Sequence, residues 1–106
     1  MKHLLIVMLM LPTWVAAHSK MSETTPANGA ILTAAPETVQ FTFDKGMRLV
    51  LVVIDGAPAT LPEQDDFAKS ITVTAPPLSK GRHQVEWRGL SSDGHPVNGT
   101  FAFTVQ

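Results

Sequence analysis

Apolar and polar residues alternate with a period of two in four separate stretches of this chain, and that pattern leaves few folds open. Val39, Phe41 and Phe43 point one way while Gln40, Thr42 and Asp44 point the other. Ile71 and Val73 alternate with Thr72 and Thr74, Val85 and Trp87 with Gln84, Glu86 and Arg88, and Phe101, Phe103 and Val105 with Ala102, Thr104 and Gln106. Successive side chains of a strand face opposite sides of a sheet, so each stretch reads as a half-buried strand. Arg48 to Ile54 differs, being apolar at every position after the first, which predicts a strand covered on both faces. Asp55-Gly56 supplies a turn signal directly after it.

Pro and Gly clusters separate these runs: Thr25-Pro26-Ala27-Asn28-Gly29, Ala35-Pro36, Gly56-Ala57-Pro58, Ala75-Pro76-Pro77 and Lys80-Gly81. Short strands punctuated in this way, with no helical periodicity, predict an all-β antiparallel sandwich or barrel. The expected core is Val39, Phe41, Phe43, Val52, Ile71, Val73, Val85, Trp87, Phe101 and Phe103. Leu61 to Lys69, carrying Glu63, Asp65 and Asp66, is expected to be a solvated loop with room for one helical turn. Asn98-Gly99-Thr100 reads as a turn.

The first residues belong to targeting. Lys2 and His3 precede the apolar run Leu4 to Leu11, Pro12 breaks that run, and Val15-Ala16-Ala17 offers the small residues that a signal peptidase reads. The run is far shorter than the roughly 20 residues a membrane-spanning helix needs. The expected organisation is therefore a cleaved signal peptide, residues 1–17, and one domain, residues 18–106, that is exported and does not span the membrane. The chain has no cysteine, which removes disulfide staples and thiolate metal sites alike. Eight Lys and Arg stand against nine Asp and Glu, with no basic stripe for phosphates, so nucleic acid is not an expected partner.

The candidate site is metal-binding, formed by His18, Asp93 and His95. Asp93 and His95 flank a glycine, and positions i and i+2 of an extended backbone project to one side. Gly94 removes bulk between them, and Pro96 biases His95 away from helical backbone. Cleavage after Ala17 would make His18 the N-terminal residue. Its α-amine and Nδ1 could then close a six-membered chelate, with the His95 imidazole completing a T-shaped set of nitrogens and Asp93 adding an oxygen. Nitrogen and oxygen donors in a tetragonal array favour Cu(II). His83, at the start of a strand, is expected at the surface or an edge, and Met21 and Met47 are expected to pack.

These residues resemble the CopC family of periplasmic copper-binding and copper resistance proteins. The resemblance is carried most specifically by Gly81-Arg82-His83-Gln84-Val85-Glu86-Trp87-Arg88, Ser91-Ser92-Asp93-Gly94-His95-Pro96-Val97, Gly99-Thr100-Phe101 and Phe103-Thr104-Val105. It continues in His18, Thr25-Pro26-Ala27-Asn28-Gly29-Ala30, Ala35-Pro36 and Val39-Gln40-Phe41-Thr42-Phe43. It implies an immunoglobulin-like β-sandwich (a Greek-key, cupredoxin-like small barrel) with a Cu(II) site at His18, Asp93 and His95. It also implies delivery of copper to an inner-membrane transport protein of the CopD type. Where the family often reads Phe-Ser-Glu, this chain has Phe43-Asp44-Lys45, so an acid is missing at the glutamate position. The family's variable methionine-rich Cu(I) segment is absent too.

Two other classes of function are open to such a chain. A histidine-brace copper monooxygenase would need a substrate face and a free coordination position; one tryptophan beyond the leader, no tyrosine and a carboxylate beside the metal argue against it. A metal-free interaction module would be indifferent to substitution of His18 or His95. The expectation is a copper-binding protein, not an enzyme.

Overall fold

The computed structural model describes residues 23–106, so the leader, His18 and Met21 lie outside the described residues. Seven strands follow one another: β1 (Glu23–Thr25), β2 (Ile31–Leu32), β3 (Thr38–Ile54), β4 (Ala57–Pro58), β5 (Ala68–Thr74), β6 (Gly81–Ser91) and β7 (Pro96–Val105). There is no helix among the described residues, so the segment from Leu61 makes no helical turn. The all-β expectation holds, and the architecture is a β-sandwich whose continuous sheet curls into a half-barrel.

β3 organises it. The sequence suggested two separate strands, but the alternating and the apolar stretches are one strand of 17 residues. Its first half pairs with β1 on one side and β5 on the other, and its second half pairs with β6 and β4. β6 continues to β7, and β7 to β2, which is the one parallel pair in an otherwise antiparallel set. The register against β5 shifts between Thr42 and Met47, leaving Phe43 to Gly46 unpaired with it. Such irregularities bend a strand, and this one lets the two halves of the sheet face each other.

The inward residues meet between those halves. Phe41 in the first half of β3 packs edge-on to Trp87 of β6 and Phe101 of β7, with ring centroids 5.9 and 6.0 Å apart. Phe43 meets Trp87 at 5.3 Å, and Phe101 continues to Phe103 at 6.4 Å. All ten expected core residues are buried, joined by Met47, Leu49, Ile54, Ala75 and Val105. Burying one large apolar side chain contributes roughly 1.5–3 kcal/mol, so this aromatic spine carries much of the fold's stability in the absence of disulfides.

Two expectations fail for identifiable reasons. The run Arg48 to Ile54 is not covered on both faces: Val50, next to the inward Leu49, is 63% exposed, and the register skip against β6 between Leu49 and Leu51 then brings Val52 and Ile54 inward. Asn98-Gly99-Thr100 is not a turn but the middle of β7. Gly99 pairs with Trp87, and a Cβ there would lie 2.8 Å from the indole Nε1, so the glycine serves the ring that covers it. The acidic segment before β5 is also tied down rather than free. Gln64 accepts from Leu49 N (2.7 Å) and donates to Leu49 O (2.9 Å), completing the strand ladder beside the bulge.

Candidate metal site

Between Ser91 and His95, whose backbones pair, the β6–β7 hairpin closes through three residues, Ser92-Asp93-Gly94. Gly94 N donates to Ser91 O and Ser91 N to His95 O, both at 2.9 Å, with Gly94 at φ 91°. A turn followed by a left-handed glycine is the usual geometry of a three-residue hairpin loop, and glycine enters that region without steric cost. The loop is fixed to the bend of β3 by a bond from Ser92 N to Gly46 O (2.9 Å). The hairpin and the bend therefore form one structural corner.

Asp93 sits at that corner and its two oxygens are differently engaged. Oδ1 accepts from Ser91 Oγ and lies 3.1 Å from His95 Nδ1, while Oδ2 accepts from Lys45 Nζ at 2.9 Å. Ser91, Lys45 and His95 together hold this carboxyl well below the usual carboxylate range. Its hydrogen bond and charge raise the Lys45 ammonium above its ordinary value, with Asp44 adding a smaller push in the same direction. The His95 side chain is 78% exposed, and its Nε2 meets no hydrogen-bond partner among the described residues. The extended backbone argued from sequence is not what joins Asp93 to His95; a tight turn does it instead.

The pair stands at the rim of a cleft of about 490 Å³. Phe43, Met47, Trp87, Val97 and Phe101 supply apolar lining, and Thr24, Asp44 and Lys45 contribute polar groups. Met47 is thus a packing residue, as expected. Among the described residues no three His, Asp or Glu side chains converge on a metal position, so Asp93 and His95 form an incomplete set. The donor chemistry nevertheless suits a metal: an imidazole whose Nδ1 faces a carboxylate is oriented to offer Nε2.

Sequence reasoning overlooked Lys45 and Ser91. Ser91 was within reach, because the alternation that buries Val85 and Trp87 also turns Ser91 inward, and a buried hydroxyl requires a partner. Lys45 gave no local signal, since it reaches Asp93 only once β3 has bent.

His83 is a correction. It is not a surface or edge residue but is 6% exposed, on a central strand opposite Phe103. Its Nδ1 lies 2.6 Å from Asp55 Oδ2 and its Nε2 2.7 Å from Ser79 O. Both neighbours are acceptors, so the ring can donate to both only in its protonated, imidazolium form. The Asp55 bond, then the Ser79 carbonyl, raises its pKa above the ordinary histidine value. Asp55 and Gly56 take positive φ (54° and 86°) in the two-residue turn joining β3 to β4, as their sequence predicted.

Comparison with known proteins bears on the corner at Asp93. The CopC domain model matches residues 21–106. The chain belongs to the CopC family. Copper resistance protein C of Pseudomonas syringae pv. tomato is 31% identical over 104 residues, covering 85% of this chain and 82% of that protein. The crystal structure of CopC from Methylosinus trichosporium OB3b superposes with a TM-score of 0.71 at 31% identity, covering 84% of this chain and 94% of that one. PcoC, a methionine-rich copper resistance protein from Escherichia coli, gives a TM-score of 0.60 at 28% identity, covering 85% and 100%. The Asp93–His95 hairpin and Trp87 fall inside the matched CopC domain, whereas His18 precedes it.

Proposed function

We propose that this chain is a periplasmic copper-binding protein that holds Cu(II) through His18 at a mature N-terminus, His95 and Asp93, and serves copper sequestration, transport or resistance. The observation that carries the reading is the hairpin corner of a CopC-family chain, where Asp93 Oδ1 faces His95 Nδ1 and the exposed ring, which lines the cleft, keeps Nε2 without a partner among the described residues. Relatives named copper resistance protein C support copper as the ion. Nitrogen and oxygen donors without thiolate support the divalent state.

The direction of β1 supports the participation of His18. β1 runs antiparallel to β3 with Glu23 opposite Thr42, so its N-terminal end lies on the side of the Asp44–Gly46 bend. Thr24 itself lines the cleft that Asp93 and His95 share. Four residues lie between His18 and Glu23, so five Cα–Cα steps give an extended reach of up to about 18 Å. The amine would have to lose its proton to bind, so affinity should rise with pH toward its reference pKa of about 8. Delivery to a CopD-type membrane transport protein is the use such a carrier serves in this reading.

Cu(II) affinity by chelator competition tests it, using one form that begins at His18 and one with an additional alanine in front. A loss of more than about 100-fold in the extended form is expected, since that is the upper end of what removing an outer-shell partner costs. His18→Ala should cost more than Asp93→Ala, which removes one replaceable oxygen. Equal affinities for the two forms would exclude the amine as a ligand.

A further inference from the structure

We propose that Lys45 is a built-in competitor for the metal: its ammonium occupies the Asp93 oxygen that a bound cation would take. This rests on the copper reading above. Asp93 uses Oδ1 for Ser91 and His95, so Oδ2 is the oxygen left for a ligand role, and Lys45 Nζ lies 2.9 Å from it. The contact is imposed by the fold. Lys45 belongs to the stretch of β3 that leaves the β5 ladder, and the hairpin loop is bonded to Gly46 immediately after it.

An ammonium at this point has two consequences. In the metal-free protein it balances the Asp93 charge and keeps the carboxylate turned into the corner, so the site is organised without an ion. On loading, a divalent cation on Oδ2 would face a like charge at close range, and Lys45 must swing away. Both side chains reach solvent, with 60% of the Lys45 and 40% of the Asp93 side chain exposed, so the ammonium has water to move into. The chain therefore binds its ion more weakly than the same hairpin without a lysine, a property suited to handing the ion on rather than storing it.

Lys45→Gln tests this, with the full mature chain beginning at His18 and Cu(II) alone as the probe. Chelator competition should give a Kd roughly tenfold lower than wild type at low ionic strength, from one unit charge removed a few ångströms from a dication in a water-like dielectric. The gain should shrink toward nothing in 1 M salt, where the Debye length is about 3 Å. In wild type, acetylation of Lys45 followed by mass spectrometry should accelerate on Cu(II) loading, relative to the exposed Lys69 and Lys80. An unchanged or weaker affinity in Lys45→Gln, with His95→Ala still losing binding, would overturn the competitor while leaving the copper site intact. If His95→Ala and Asp93→Asn also bind Cu(II) like wild type, the site itself is wrong and the competitor falls with it.

Discussion

An aspartate–histidine pair lies near each end of β6, and the two are built to opposite specifications. At the end where the strand begins, His83 is buried under Phe103, and each of its nitrogens faces an acceptor, Asp55 or the Ser79 carbonyl. At the end where the strand closes into its hairpin, His95 is exposed, and only its Nδ1 faces a partner among the described residues. In the first pair both imidazole nitrogens are engaged inside the fold, and the histidine has none left to offer an ion. The second keeps one nitrogen open and holds its carboxylate with groups that can be displaced. The same two residue types thus make a structural clasp or a candidate ligand pair, depending on whether the imidazole's hydrogen-bonding capacity is used up inside the fold.

The contrast can be broken most forcefully at the histidines themselves. His83→Ala should destabilise the metal-free protein by roughly 2–4 kcal/mol in urea unfolding, through lost packing and two stranded acceptors. His95→Ala, altering an exposed side chain, should stay within about 0.5 kcal/mol of wild type while losing Cu(II) affinity. A stable His83→Ala would show that the clasp is ornamental, and a destabilised His95→Ala would show that the hairpin is structural.

Between the two ends sits Gly99 under Trp87. A Cβ at this position would meet the indole at 2.8 Å, so Gly99→Ala should cost about 1–3 kcal/mol and displace the ring that lines the cleft. Tryptophan fluorescence should report that displacement, because Trp87 is the only tryptophan after residue 17.

Acidity sharpens the comparison further. The pKa of His83 is raised in the folded state, so its stabilisation is fully present below the unfolded value of about 6.5 and is lost as pH rises through the folded value. For Asp55, burial works upward but the bonds from His83 and Gln84 outweigh it, and the net shift is downward. Its contribution is present above the unfolded carboxylate value and lost as pH falls through the folded one. Urea midpoints should therefore fall on the alkaline side of the His83 transition, and His83→Phe should abolish that fall. The smallest effect belongs to the open corner. Lys45→Gln should leave the urea midpoint of the metal-free protein unchanged at neutral pH, since an exposed ion pair contributes little to stability.

Much of the scaffold was legible because a period of two is a local property: Val39, Phe41 and Phe43 announce an inward face whatever they pack against. Composition misled at Arg48 to Ile54, where an all-apolar run suggested two covered faces but Val50 faces outward beside the buried Leu49. It misled again at Asn98-Gly99-Thr100, whose turn-like residues serve a neighbouring indole. Asp93 and His95 were chosen as candidates from spacing, and a hairpin turn rather than extended backbone sets them side by side.

The alternating stretches, the Asp55-Gly56 turn and the inward residues could be read from the chain alone, because backbone dihedral preferences and side-chain periodicity act over a few neighbours. That β3 runs unbroken through a bend, that His83 is a buried clasp and that Lys45 sits on Asp93 emerged from the closed sheet alone. Those outcomes depend on residues 28 and 48 positions apart in the chain. Such pairs meet only after the two halves of the sheet have closed over the aromatic core, and no local pattern encodes a contact that the closure creates.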